Sequence, residues 1–392
     1  MDIQMSNRLK KLPPYLFVEI DRAKKRARDE GRDVIDLGIG DPDMPTPKFI
    51  VDAMNKAMRD PKNQRYPLDA GLPEFRSAIA KWFKKRYGVD LDPGSEILPL
   101  IGSKEGIAHM GLACINPGDV ALVPDPCYPP YKSGTWFAGG EVELMPLEAK
   151  NHFLPDLKAV NHNILHKARM IFINYPNNPT GAVCDKRFFA HVIEFAGKHN
   201  MIVCHDAAYS EMGYGGYKAP SILEAEGAKD VAIEFHSLSK TFNMTGWRIG
   251  FACGNPGLVA ALAKVKSNID SGVFFAIQRA GVAALEGYDR HMAAVLKVYE
   301  ERRDCLVEGL RSIGWDVEKP KATFYVWFKV PPRYTSTSFA KELLDKCDIV
   351  ATPGNGFGQC GEGYIRMALT VDKRRIKEAV ERIRERLVKR EA

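Results

Sequence analysis

Nowhere in the 392 residues does an apolar run reach the roughly 18 uninterrupted residues that a membrane helix needs. The first residues, MDIQMSNRLKKLPPYLF, contain no apolar core of the kind that marks a secretory signal. Eight cysteines are present, yet they form no CxxC pair and no Cys/His cluster at zinc-ligand spacing, so no metal site is expected. Several, such as Cys204 and Cys253, sit in apolar strand-like runs and read as buried thiols of a reducing compartment. Basic residues outnumber acidic ones by 56 to 49, but only short clusters occur, at Lys24 to Arg28, Lys84 to Arg86 and Lys373 to Lys377. Solvated helix faces explain these better than a nucleic-acid stripe. Internal repeats and low-complexity linkers are also missing, and GIGDPD lacks the third glycine of a dinucleotide fingerprint. A cytoplasmic protein with neither a membrane nor a nucleic-acid partner is expected, and the sequon at Asn243 to Thr245 is then a coincidence.

What is present is an ordinary globular composition, 45% hydrophobic and 27% charged. Short apolar runs recur through the middle: VALVPDP from Val120, RMIFINYP from Arg169, MIVCHDAAY from Met201, VAIEFHSLS from Val231 and IGFACG from Ile249. Helical patterns separate several of them, the clearest from Lys186 to His199. Strands apolar on both faces, alternating with helices, predict a mainly parallel sheet covered on both sides. The pattern changes near residue 285 to a long charged helix, an alternating strand TFYVWFKV and further helices, which predicts a smaller α/β domain. The expected division is 1–44 as an N-terminal arm and part of the small domain, 45–285 as a large domain, and 286–392 as a small C-terminal domain.

In such sheets ligands collect beyond the carboxyl ends of the strands. The polar residues that end these runs are Asn178, Asp206, Tyr209, Ser237, Ser239 and Lys240, with Arg248 opening the next strand. Hydroxyls and a guanidinium suit a phosphate dianion. A lysine shielded from water beside cations has a lowered amine pKa and becomes a nucleophile for an aldehyde. Gly102 and Ser103 open an apparent helix whose N-terminus also suits an anion, although a serine there is as readily an ordinary cap. Asp206 is either a partner for a cation or ring nitrogen, or half of a salt bridge to an arginine. Turn chemistry alone accounts equally for Asn178, and simple packing for Tyr128. Arg366, in the apolar strand GYIRMAL, needs an anion: a substrate carboxylate or a structural Asp or Glu.

Taken in order, DLGIGDPD, YPLDAGLPEFR, GSKEG, YPNNPTG, DAAY, SLSKTFNMTGWRIG and Arg366 resemble the fold-type I pyridoxal-phosphate aminotransferases, the aspartate aminotransferase superfamily, over nearly the whole chain. That resemblance implies a seven-stranded, mainly parallel sheet with helices on both faces. It implies pyridoxal phosphate held by Lys240, with Asp206 at the ring nitrogen, Asn178 and Tyr209 at the ring's 3-oxygen, Tyr128 over one ring face, and Ser103, Lys104, Ser237, Ser239 and Arg248 around the phosphate. Tyr66 matches a tyrosine that reaches the neighbouring subunit's phosphate, which implies a homodimer with composite sites.

Within the superfamily, LIGSKEGIAH, VCHDAAYSE and EFHSLSKTFNMTGWRIGF are most similar to the LL-diaminopimelate aminotransferase family. Its substrate contacts map to Tyr15, Gly40, Lys104, Tyr128, Asn178 and Arg366, with Asp69 near a distal ammonium. Ser271 stands where an asparagine contact is expected. The implied reaction moves an amino group between LL-2,6-diaminoheptanedioate and 2-oxoglutarate. A broader aspartate, alanine or aromatic aminotransferase and a C–S or C–N lyase are the alternatives on the same scaffold. An aminotransferase-like transcription regulator is disfavoured, because only about thirty residues precede DLGIGDPD.

Overall fold

The computed structural model describes residues 3–12, 16–67 and 70–388. In chain order its strands are β1 (Ile35–Asp36), β2 (Ile97–Leu100), β3 (Val120–Asp125), β4 (Glu141–Pro146), β5 (Ala168–Asn174), β6 (Ile202–Asp206), β7 (Ala232–Ser237), β8 (Gly250–Gly254), β9 (Tyr325–Lys329), β10 (Ile349–Val350), β11 (Thr352–Pro353) and β12 (Tyr364–Ala368). Seven of them form one sheet in the order β2-β8-β7-β6-β5-β3-β4. The pairings from β7 across to β4 are parallel, and only β8 runs antiparallel to its neighbours β2 and β7.

Successive residues of these strands serve two different cores, which is why their sequences read as continuous apolar runs. Leu122, Ile171, Ile173 and Val203 pack on one face, while Ala121, Val123, Phe172 and Cys204 pack on the other. Edge strand β4 alone is largely open to solvent. The helix Lys186–Lys198 covers one face; Asp185 caps it by accepting from the Phe188 N–H, and Phe189, Val192, Ile193 and Ala196 point inward.

The helices Ser103–Cys114 and Pro130–Phe137 meet backbone to backbone. A Cβ on Gly111 would run into the Gly134 carbonyl, and one on Gly134 would lie 2.7 Å from the Ala108 carbonyl oxygen. Gly250 makes a similar allowance, since a Cβ there would lie 2.5 Å from the His236 carbonyl oxygen and 3.0 Å from the Ser103 nitrogen. The absent side chain lets the start of the helix Ser103–Cys114 lie against the end of β7.

A second body is built on the antiparallel sheet β11-β12-β9. Its core joins Leu306, Phe324, Ile365 and Ile376 with Ile35 and Leu37 from early in the chain. β1 pairs with β10, and the Ala368 N–H donates to the Leu37 carbonyl at 2.6 Å. Arg302 holds Asp43 through two bonds of 2.6 and 2.8 Å. These ties fix the segment from Gly38 to Asp43 beside β12. Among the described residues no helix is long and apolar enough to cross a membrane.

The packing of Gly111 generates a prediction. Gly111→Ala destabilises the protein by about 2–3 kcal/mol, because the obstacle is backbone and does not yield. Gly197→Ala, on an exposed helical position with nothing within 4 Å of the added carbon, stabilises by about 0.5 kcal/mol. Denaturant titration of the two variants beside the parent checks both signs.

Candidate active site

The carboxyl ends of β5, β6 and β7 deliver Asn174, Asp206 and Ser237 to one rim. Asn174 organises that rim: its Nδ2 donates to the Asp206 carbonyl at 2.6 Å, and its Oδ1 accepts from the Asn178 N–H at 2.8 Å. Beyond lies a cavity of about 310 Å³ bounded by both bodies, lined by Ser103, Lys104, Tyr128, Asn178, Asp206, Tyr209, Ser237, Ser239, Lys240, Arg248 and Arg366 together with Gly40. A larger depression of about 700 Å³ lies on the outer helices around Trp82 and Arg279. Two ion pairs lie along it, Arg279 with Glu74 at 3.6 Å and Lys85 with Asp289, and it holds none of the strand-end residues.

Lys240 lies in the short helix Leu238–Thr241 that follows β7 and donates to the Gly40 carbonyl at 3.0 Å. Burial pulls its amine down to about 8; the charges of Arg248 and Arg366 act in the same direction, and those of Asp41 and Asp206 against it. Asp206 is buried, which pushes its carboxyl up. The Tyr131 hydroxyl at 2.8 Å and the Ala208 N–H at 3.2 Å stabilise its charged form. No arginine pairs with it among the described residues.

Three elements build an anion cradle at one end of the cavity. The helix Ser103–Cys114 begins with Gly102 as its cap, in the left-handed region at φ 77 and without a side-chain capping bond. Ser103 is therefore not the cap but lies in the first turn, beside uncapped backbone N–H groups. A Cβ on Gly102 would collide with the Arg248 guanidinium, so the glycine permits that cation to approach the helix start. Arg248 itself has φ 53, a left-handed conformation that costs a non-glycine residue about 1 kcal/mol or more. Ser239 Oγ is buried and meets no hydrogen-bonding partner among the described residues. A phosphate dianion matches this set of donors in charge and in hydrogen-bonding capacity.

Arg366 enters from β12, 1% exposed. Its Nη1 donates to Asn178 Oδ1 and its Nη2 to the Gly38 carbonyl, both at 2.7 Å. The guanidinium lies 4.1 Å over the Tyr325 ring and 4.7 Å over that of Phe357.

Some expected residues are elsewhere. Tyr66 is 86% exposed and lines a separate depression with Gln64, Arg65, Pro67, Gly272 and Phe274. Ser271 is exposed beside that depression. Tyr15 and Asp69 lie outside the described residues. Two tyrosines went unnoticed in the sequence. Tyr131 lies within PDPCYPPY, three residues after Tyr128, and the spacing to an aromatic already singled out was its signal. Tyr325 is hidden in the alternation of TFYVWFKV; its hydroxyl is 2.9 Å from that of Tyr209.

A model of the family described as aminotransferase class I and II matches residues 32–383. The LL-diaminopimelate aminotransferase of Moorella thermoacetica is 57% identical over 382 residues, 97% of this chain and 98% of that one. That of Aquifex aeolicus is 54% identical over 381 residues, with 97% and 98% covered. Among solved structures, substrate-bound BacF from Bacillus subtilis matches with a TM-score of 0.95 at 40% identity, covering 98% of each chain.

The lowered basicity of Lys240 is directly measurable. Acylation of Lys240 by a small amine reagent, followed by peptide mass mapping, reaches half its maximal rate near pH 8. Arg248→Met removes a neighbouring positive charge and moves that midpoint upward. A midpoint at the ordinary lysine value of 10.5 would mean that the amine is solvated.

Proposed function

The chain belongs to the aminotransferase class I and II family, and from that premise we propose that it transfers an amino group between LL-2,6-diaminoheptanedioate and 2-oxoglutarate with pyridoxal phosphate as cofactor. The observation that carries the reaction type is the convergence of Lys240, Asp206 and Arg366 in one cavity with the anion cradle. The choice of donor is supported by the names of the curated relatives, 52–57% identical over nearly the whole chain.

Ser103, Ser237, Ser239, Arg248 and the N–H groups at the start of the helix Ser103–Cys114 would hold the phosphate. Lys240 would hold the aldehyde carbon, Asp206 would face the ring nitrogen and keep it positive, and Asn178 and Tyr209 would donate to the ring oxygen. Tyr128 would cover a ring face. When bound, pyridoxal phosphate supplies a conjugated ring that accepts the electrons of a broken Cα–H bond. The chain supplies the rest. Arg366 grips the α-carboxylate and fixes the Cα–H direction, with Gly40 and Asn178 beside it. Lys104 and Tyr128 line the remaining length of the cavity, where a second carboxylate would sit. Lys240 Nζ, with its amine near 8, takes the α-proton at neutral pH and returns it as a general acid.

A homodimer belongs to this reading, because Tyr66 contributes nothing to its own cavity and suits a neighbour's phosphate. Asp69 and Tyr15 are assigned by the same reasoning to the substrate's distal end. The cytoplasm is the assigned compartment, supported by eight cysteines that are all free.

Three measurements test this. Purified protein with LL-2,6-diaminoheptanedioate and 2-oxoglutarate yields glutamate with a kcat/KM at least tenfold above that for aspartate, alanine or phenylalanine; equal values would return the broad-specificity reading. Lys240→Ala loses about a thousandfold or more in kcat. Arg366→Lys, which cannot form the planar two-pronged contact, raises KM for donor and acceptor alike by about tenfold, with a smaller change in kcat.

A further inference from the structure

We propose that Tyr325 is a positioning residue for this reaction: its hydroxyl donates to Tyr209 Oη and thereby aims the Tyr209 proton into the cavity. The inference rests on the functional reading above, in which Tyr209 donates to the cofactor's ring oxygen.

The two hydroxyls are 2.9 Å apart, and both residues are buried, at 5% and 3% exposure. Each phenol carries one proton, and the bond between them uses one of the two. Neither oxygen has another hydrogen-bonding partner among the described residues, so the direction of this bond decides which tyrosine keeps a proton for a ligand. The Arg366 guanidinium settles it. It lies over the Tyr325 ring at 4.1 Å, and a cation on the π face draws electron density from the ring and its oxygen. That makes Tyr325 the stronger donor of the pair and the poorer acceptor. Tyr209 has aromatic edges as ring neighbours, from Phe324 and Tyr325, at 5.4 and 5.5 Å. Burial pushes its phenol well up, so it remains a donor.

The aim is also mechanically fixed. A Cβ on Gly40 would collide with the Tyr325 hydroxyl, so that glycine leaves the space the hydroxyl fills. The Gly40 carbonyl is in turn the acceptor for Lys240 Nζ at 3.0 Å. Tyr325 thus stands between the carboxylate-binding guanidinium and the group that orders the reactive amine. Its strand, β9, belongs to one sheet and Tyr209 follows β6 of the other, so the bond spans the two bodies.

Tyr325→Phe keeps the ring under Arg366 and removes only the hydroxyl. In cofactor-loaded protein it leaves KM for the amino donor within about twofold and lowers kcat about 5- to 20-fold. Weakening a donor to the ring oxygen raises the proton affinity of the bound chromophore, so the pH midpoint of its visible absorption moves upward. Tyr209→Phe produces the same upward shift, and the double variant matches Tyr209→Phe alone in both midpoint and kcat. Tyr325→Phe with a parental midpoint and kcat overturns the inference, as do effects that simply add in the double variant. Parent protein that develops no visible absorption with pyridoxal phosphate defeats the functional reading itself, and this inference with it.

Discussion

Lys240, Asp206 and Arg366 share one cavity between the two bodies, and much of the architecture answers to that requirement. Lowering the Lys240 amine to about 8 corresponds to roughly 3 kcal/mol of folding stability at neutral pH. The sign follows from the unfolded chain binding the proton more tightly. The cost is fully present below about pH 8, where the folded amine is protonated, and is relieved as pH rises toward the ordinary lysine value. Asp206 and Arg366 are disfavoured by burial in the same way, the carboxyl pushed up and the guanidinium pulled down. Among the described residues Asp206 accepts from neutral donors, the Tyr131 hydroxyl and the Ala208 N–H. Asn178 Oδ1 and the Gly38 carbonyl, which accept from Arg366, are likewise neutral. Neutral hydrogen-bonding partners of this kind lower the cost of burial without cancelling a charge.

A second buried carboxylate shows what a closed solution looks like. Glu234 accepts from His205 at 2.9 Å, His236 at 2.6 Å, the Ser221 hydroxyl at 2.9 Å and the Ile222 N–H at 2.8 Å. These donors more than offset its burial and hold it far below the usual carboxylate range. His205 pairs with Glu234 in the sheet register, and Asp206 pairs with Phe235. Because successive side chains alternate, the saturated network lies on one face of the sheet and Asp206 on the other. The adjacent strands β7 and β6 therefore hold opposite solutions to the same electrostatic problem, at Glu234 and at Asp206. The first is closed within the core, and the second faces the cavity.

The sequence exposed what lies at the ends of apolar runs. Asp206 and Ser237 close β6 and β7 because a polar residue there ends burial, and Lys240 and Arg248 follow within one motif. The mainly parallel sheet was readable for the same reason, since strands buried on both faces cannot hide their composition. Contacts across large separations were not readable. Gly40 and Lys240 are 200 positions apart, and nothing in either segment names the other. β9 is buried at Tyr325, Val326, Trp327 and Phe328 in succession, so nothing in TFYVWFKV shows which face meets the cavity. Tyr131 was obscured differently: it lies three residues after Tyr128, and only the 2.8 Å bond in the folded chain shows which tyrosine reaches Asp206, with Phe172 stacked 5.2 Å from its ring. Ser103 looked like a cap because serine is a common one; the left-handed Gly102 took that place to let Arg248 come close.

The two bodies also make the proposed chemistry self-timing. Arg366 belongs to the second sheet, and its positive charge is one of the influences that lower the basicity of Lys240 on the first. A substrate carboxylate seated on that guanidinium would neutralise it, and the amine would regain proton affinity. Before the cofactor is bound, a less basic amine is the better nucleophile for its aldehyde at neutral pH, since more of it is unprotonated. After substrate arrives, a more basic amine is the better acceptor for the α-proton. In the proposed function, binding at the α-carboxylate would thus raise the proton affinity of the amine without any movement of the lysine itself. Placing the anion site and the amine on separate sheets, close enough to couple through charge, is what permits one ligand contact to do so.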